Sequence, residues 1–385
     1  MWSIPCLGLV VGLIGLPSSS GWALRPVRLP TKTTSRRILP TRLASTTQNE
    51  EDTKQSASLK PTKGSVVKIA CRLQPEGDFV PEPLIDGIVL HEEDSTVDLH
   101  FMLGWGNYLP GLHDLILEDP MEVGETRSGV SVDAGWGDVN PNLIATISFQ
   151  DSGMNPSQIK VGSQLWLQAQ NLACSVTAVT DTTFTIDANP PLAGASYQAT
   201  VTLKAVEEGP VVGPYTTKET SQSKYEVCTF ALGCFWGGEL AFMRVPGVVG
   251  TAVGYTQGDV KDPTYQEVCS GTTGHTEAIL VIYDPTKATY ETLVDVAMDR
   301  LGENKYLLNQ VGNDKGTQYR HGVYYHTPAQ KEIAEKVLKS FGADCVTECK
   351  AATKFYFAED YHQQYLLKSG QSARKGDTTV IRCYG

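Results

Sequence analysis

From Tyr225 onward the chain alternates strand-like and helix-like runs. Tyr225–Leu232 (YEVCTFAL) reads as a strand ending at Gly233, with a helix expected to begin near Gly237–Glu239. Thr276–Tyr283 (TEAILVIY) is almost wholly apolar, the pattern of a central strand covered on both faces. Thr289–Leu301 carries Leu293, Val296, Ala297 and Leu301 at helical spacing. The clearest helix spans Thr327–Phe341. Thr327 is a good N-cap, Pro328 suits the first turn, Ile333, Val337, Leu338 and Phe341 form the apolar stripe, and Gly342 ends it. Upstream, from Gly64 to Glu208, the texture is β. Ser65–Leu73 and Thr96–Leu103 alternate apolar and polar residues between turns rich in Gly, Pro, Asp and Asn. Two polar, aperiodic stretches, Gln48–Lys63 and Gly209–Ser223, read as linkers. The expected class is α+β, with a β-rich domain over 64–208 and an α/β domain over 224–385, and no internal repeat.

The first 63 residues have a different character. Ile4–Leu16 is an apolar run too short to span a bilayer, followed by small residues, which predicts a signal peptide over 1–24. Residues 25–63 then begin with an Arg-, Ser- and Thr-rich stretch of the transit-peptide type. Together they resemble the bipartite presequence of algae with complex plastids, which implies a plastid destination. Simple secretion with a basic spacer is the alternative. No stable membrane association is expected after processing.

Charge sharpens this division. The formal net charge is −11, yet residues 1–49 hold six basic residues and no acid, so the remainder carries −17. Such a protein is repelled by nucleic acid, and no Lys/Arg run argues otherwise. Hydrophobic residues at 41% allow real cores. The nine cysteines form no C-x-x-C pair, so neither a zinc ribbon nor a thioredoxin motif is present, and neither a metal nor a cofactor is expected.

The chemistry concentrates in Gly233-Cys234-Phe235-Trp236-Gly237-Gly238-Glu239, between a strand and a helix. Unpaired N–H groups and the macrodipole at a helix N-terminus stabilise a thiolate, the reactive form of cysteine. Two adjacent aromatic residues suit the floor of an apolar pocket for a methyl or thioether group.

With TYQEVCSGTTGHTEA at Thr264–Ala278, GNDKGTQYR at Gly312–Arg320 and AEDYHQQY at Ala358–Tyr365, this motif closely resembles the peptide methionine sulfoxide reductase A family over nearly all of Tyr225–Gly385. The resemblance implies an α/β sandwich, oxidised protein or peptide methionine as substrate, and a thioredoxin-like reductant. It makes Cys234 the nucleophile, Glu277 the proton donor, and Tyr265 and Tyr319 the groups that hydrogen-bond the sulfoxide oxygen. Phe235 and Trp236 would hold the S-methyl group, and Asp314 would help shape the site. A carboxyl in an apolar pocket stays protonated, as the acid role of Glu277 needs. Cys234 would become a sulfenic acid and then a disulfide. Cys383, in the terminal Ile-Arg-Cys-Tyr-Gly, matches the resolving thiol of plant-type members. Several of those have a second tail cysteine where this chain has Asp377. The tail Ser369–Thr379 is expected to be mobile enough to deliver Cys383. Cys228, Cys269, Cys345 and Cys349 are expected to be buried and structural. A different reading, a redox-sensing binding protein with little turnover, uses the same cysteine.

In the N-terminal half, Leu103–Leu112 (LGWGNYLPGL), Met121–Glu125 and Ala134–Gly137 resemble FKBP-type prolyl isomerases. Asp187–Gly194 resembles their SlyD-like branch, which inserts a small β domain into the flap, here about 142–189. The implied fold is a β-sheet plus helix, with Phe101, Tyr108, Leu109, Leu112 and Trp136 as pocket residues. Trp136 stands where the family usually has Tyr, and the usual Phe-Asp pair is not recognisable. The domain is therefore an isomerase or a chaperone-like module.

Overall fold

The computed structural model describes residues 11–13, 59–76, 97–105, 110–133, 137–167, 172–190, 193–218, 222–369 and 371–382. The leader (Val11–Leu13 apart), the transit-like stretch, Tyr108, Leu109, Trp136 and Cys383 lie outside the described residues. In chain order the first half runs β1 (Val11–Leu13), β2 (Val66–Pro75), β3 (Val97–Met102), α1 (Pro110–Leu117), β4 (Thr126–Asp133), β5 (Ile144–Ser148), α2 (Phe149–Ser152), β6 (Gln164–Leu167), β7 (Leu172–Val179), β8 (Thr183–Asp187) and β9 (Ser196–Glu207). The second half runs β10 (Glu226–Leu232), α3 (Phe235–Met243), β11 (Val248–Thr256), α4 (Tyr265–Cys269), β12 (Thr276–Tyr283), α5 (Tyr290–Leu301), β13 (Gln310–Val311), β14 (Asp314–Lys315), β15 (His321–Tyr325), α6 (Pro328–Ser340), β16 (Glu348–Ala351), β17 (Tyr356–Phe357) and α7 (Tyr365–Lys368).

Residues 142–188 fold as a unit of their own, with β1 on the edge of an antiparallel sheet ordered β1-β6-β7-β8-β5. Phe149, Ile159, Leu165, Val176, Phe184 and Ile186 form its small core. Ser148 caps α2 by accepting from the Gln150 N–H.

Residues 58–141 and 189–385 form the second unit, which holds two sheets. The first is antiparallel, in the order β3-β2-β9-β4. Strand β9 alternates between buried and less buried residues for most of its length, and its inward face joins α1 through Leu112 and Ile116 in one core. The second sheet has six strands in the order β16-β15-β10-β12-β11-β17, with only the β15–β16 pair parallel. Helices α3, α5 and α6 bury Phe242, Leu293, Ala297, Ala334 and Leu338 against Phe230, Ile279 and Val281 of this sheet.

The apolar run of β12 has a direct structural cause. Ile279 and Val281 face the helices, whereas Leu280 and Ile282 face the other way and are buried with Val227, Val249, Val66 and Met102. Val66 and Met102 belong to β2 and β3, so the N-terminal sheet covers the second face of the reductase-like sheet. Both faces of β12 are thereby removed from water, and no polar alternation remains in its sequence. At the margin of this seam Glu207 accepts hydrogen bonds from Lys68, Lys224 and the Tyr225 hydroxyl, and His100 Nε2 lies 2.6 Å from the same hydroxyl. These cations and donors hold the Glu207 carboxyl well below its ordinary range, at about 2.

Three local expectations need adjustment. Helix α3 starts at Phe235, two residues before the expected start, because Cys234 takes the N-cap. The stretch read as a linker is threaded along the sheet: Tyr215 N donates to Ala352 O, and Gly213 O lies 2.9 Å from His326 Nδ1. The tail, expected to be mobile, is tied down, with Ala373 fully buried and Gln371 nearly so.

Leu280→Ala should lower stability by about 2–5 kcal/mol, since it opens a hole in the seam between the sheets. Denaturant unfolding measures this, and a loss below about 0.5 kcal/mol would mean that the seam is not packed as described.

Candidate active site

Strand β10 ends at Gly233, whose φ of +74° belongs to the left-handed region. A Cβ there would also sit 2.5 Å from the Val311 side chain, so only glycine makes this turn. The turn places Cys234 at the N-cap of α3, next to the positive end of the helix dipole, which favours a thiolate.

Beside β10, strand β12 pairs antiparallel with Phe230 opposite Ile279, which brings the start of β12 next to that turn. Glu277 is only 2% exposed, and its Oε2 accepts from the Phe235 N–H at 3.1 Å. Burial raises its carboxyl to about 8, and the nearby Asp314 charge adds to the rise. The backbone donor opposes this without overcoming it, so the group is a neutral acid at pH 7.

Two phenols face the same space. Tyr265 opens α4, which is fixed by a capping box between Thr264 and Glu267. Tyr319 closes a single 3₁₀ turn after the β13–β14 hairpin that carries Asp314. Burial drives both phenols upward, as does the Glu277 charge, so both remain O–H donors. Burial also raises Asp314. Cys234, Phe235, Trp236, Tyr265, Glu277, Asp314 and Tyr319 together line a cavity of about 160 Å³. All seven residues named from the second-half motifs, Cys383 apart, therefore meet in one place.

Of the first-half pocket residues, Phe101 and Leu112 are described, and both are buried in the core of the N-terminal sheet. Phe101 packs on the His113 ring at 4.8 Å.

A supporting layer was not singled out from the sequence. His362 is buried among Phe235, Trp236 and Tyr265, with ring centroids 5.1, 5.7 and 4.6 Å away. Its Nδ1 accepts from Trp236 Nε1 at 3.2 Å, and burial lowers its pKa, so the ring is a neutral acceptor that fixes the indole. Tyr365 stacks on the other side of Trp236 at 3.8 Å. Glu359 accepts from the Tyr265 N–H and from the Tyr255 hydroxyl, which anchors the start of α4. Glu239 is fully buried and raised to about 7 by that burial, and it accepts from Gln364 N and Thr251 Oγ1. The signal for this layer was present in AEDYHQQY and in the last residue of GCFWGGE.

The other groups fall outside the cavity. His275 Nδ1 accepts from Gly258 N, and its Nε2 lies 2.7 Å from Val260 O, so it ties a loop to the strand end. His321 bridges Thr347 and Leu307 O. Cys228 is buried, and burial pushes its thiol up. Cys269 is a correction: it is exposed at the last position of α4, where it is hydrogen-bonded with the Tyr265 hydroxyl one helical turn earlier. Cys345 and Cys349, also expected to be buried, are half-buried at the edge of the core.

The sequence profile of the family described as peptide methionine sulfoxide reductase matches residues 226–381. The chain is 47% identical over 197 residues to peptide methionine sulfoxide reductase A4, chloroplastic, of Arabidopsis thaliana, a match that covers 49% of this chain and 73% of that protein. It is 47% identical over 180 residues to peptide methionine sulfoxide reductase A2-1 of Oryza sativa subsp. japonica, covering 46% of this chain and 95% of that one. A Brassica napus peptide methionine sulfoxide reductase is 52% identical over 165 residues, or 40% of this chain and 63% of its own. On this likeness, concentrated in the half that builds the cavity, the chain belongs to the peptide methionine sulfoxide reductase family and is an enzyme of that kind.

Proposed function

We propose that the enzyme reduces the S epimer of methionine sulfoxide in damaged proteins, with Cys234 as nucleophile. The observation that carries this reading is the single cavity that joins Cys234 to a neutral carboxyl and two phenols. The thiolate attacks the sulfoxide sulfur, Glu277 protonates the sulfoxide oxygen, and the hydroxyls of Tyr265 and Tyr319 stabilise charge on it. The S–O bond of the substrate breaks as that oxygen passes, as hydroxyl, to the Cys234 sulfur. Phe235 and Trp236 receive the methyl group, and Asp314 closes the polar side. The products are methionine and a Cys234 sulfenic acid. The Cys383 thiol then attacks that sulfur, an S–S bond forms, and the hydroxyl leaves as water with the thiol proton. A thioredoxin-like protein returns the disulfide to two thiols by exchange.

The β3-β2-β9-β4 sheet with α1, interrupted between β4 and β9 by the separately folded 142–188 unit, favours an FKBP-like origin for the first half. Its role in this reading is isomerase or chaperone-like, presenting partly unfolded substrates. The leader and the chloroplastic relative favour action in a plastid.

Cys234→Ser should abolish sulfoxide reduction while leaving the melting temperature and the far-UV spectrum unchanged, because a hydroxyl cannot supply the attacking thiolate. Appreciable residual turnover in that variant would refute the assignment. Cys383→Ser should still reduce one equivalent of sulfoxide and still turn over with dithiothreitol, but lose turnover with thioredoxin. Unimpaired recycling by thioredoxin would pass the resolving role to another cysteine.

A further inference from the structure

The reaction makes no use of Glu239, a carboxyl in the middle of α3 that is only 1% exposed. Burial lifts it to about 7. Both of its oxygens are engaged by other elements. Oε1 accepts from Thr251 Oγ1 in β11 at 3.2 Å, and Oε2 accepts from Gln364 N at 2.7 Å, across 125 positions of chain. Burying a carboxyl is destabilising by itself, so the groups that it satisfies decide what it is for.

Gln364 is an unusual recipient. Its φ of +54° and ψ of +34° lie in the left-handed region, which residues other than glycine enter at a cost. Such a conformation persists where the surroundings over-determine it. Here Glu239 holds the N–H, and the Gln364 carbonyl accepts from Lys368 N at 2.9 Å as the cap of α7. Leu366 and Leu367 of α7 are buried with Leu240 and Met243 of α3. Trp236 and Glu239 are three residues apart on α3 and so share a face. Two consecutive residues meet that face. Gln364 N bonds Glu239, and the Tyr365 ring stacks on Trp236 at 3.8 Å, within 15° of parallel. The left-handed backbone at Gln364 sets the direction in which Tyr365 follows.

We infer that Glu239 is a positioning residue for substrate binding: by holding Gln364 in its left-handed turn, it keeps Tyr365 stacked on Trp236 and so fixes the indole wall of the cavity. This rests on the proposal that Trp236 receives the S-methyl group. Glu239 is not among the residues that line the cavity, so it acts through Trp236 and not on the reacting atoms. What the position requires is a hydrogen-bond acceptor of the right length, neither a charge nor a transferable proton. An indole already in place spares the substrate the cost of ordering it, which tightens binding, whereas attack by Cys234 and proton donation by Glu277 proceed as before.

The test uses the full chain in single turnovers. Reduced enzyme is mixed with rising concentrations of a methionine sulfoxide peptide, and methionine formation is followed by rapid quench, which separates the half-saturating concentration from the limiting rate. Glu239→Leu fills the space but accepts nothing. It should raise the half-saturating concentration by about tenfold and leave the limiting rate near that of the wild type. Glu239→Gln should stay close to wild type, since its amide oxygen can accept from Gln364 N and its amide nitrogen can donate to Thr251 Oγ1. Adding Gln364→Gly to Glu239→Leu should recover most of the loss, because glycine takes a φ of +54° unaided. If Glu239→Leu does not fold, Gln364→Val takes its place, because a β-branched residue resists that φ, and the same rise is expected. Three results overturn the inference: a Glu239→Gln enzyme as impaired as Glu239→Leu, a limiting rate that falls together with binding and is not rescued by glycine, or wild-type saturation in the impaired-acceptor variant. Trp236→Ala reads the underlying assignment separately. Unchanged saturation there defeats the role of Trp236 itself, whereas weakened saturation there with wild-type behaviour in Glu239→Leu defeats the positioning role alone.

Discussion

A single backbone donation, from the Phe235 N–H to the Glu277 carboxyl, links the two groups to which the proposed reaction gives attack and proton donation. The donor belongs to the first turn of α3, whose N-cap is Cys234, and the acceptor lies at the start of β12. The β10–β12 register brings these two chain segments together, and a slip by one residue would turn Glu277 to the opposite face. The bond is also a compromise. It favours the ionised carboxylate, while burial favours the neutral acid, and burial prevails. The acid is therefore positioned by the same helix start that favours the thiolate, and remains protonated beside it.

What keeps that register rigid is the covering of the sheet on both sides. Helices α3, α5 and α6 close one face, and β2 and β3 of the N-terminal sheet close the other over Leu280 and Ile282. The N-terminal sheet is thus part of the structural frame of β12. Around the cavity, His362, Tyr365 and Glu359 hold Trp236 and α4 in place through a layer of buried rings and carboxylates.

Local pattern made much of this legible. The apolar run Thr276–Tyr283 is β12 residue for residue, and Thr327 and Pro328 open α6 at the place their chemistry dictates. Cys234, Phe235 and Trp236 were legible from the strand–helix turn itself, whereas Tyr265, Glu277, Asp314 and Tyr319 came only through the resemblance to the family's motifs. Long-range pairing was not legible. Glu239 with Gln364 and Trp236 with His362 join residues more than a hundred positions apart, and nothing in local periodicity links them. The tail misled for a related reason: its Gly, Ser, Lys and Arg content reads as a mobile terminus, yet Arg244 and Gln371 order it by bonding its backbone. Cys269 was misjudged because exposure depends on which way a five-residue helix faces, which its sequence does not state.

The account stands on a buried carboxyl that is protonated when the thiolate attacks. The most direct measurement is the pH dependence of single-turnover sulfoxide reduction in the wild-type enzyme and in Glu277→Gln. The account predicts a wild-type rate that falls as pH rises through about 8, where the acid loses its proton, and a much slower Glu277→Gln rate without that fall. A wild-type rate that holds steady through that range, or a Glu277→Gln enzyme as fast as wild type, would contradict it.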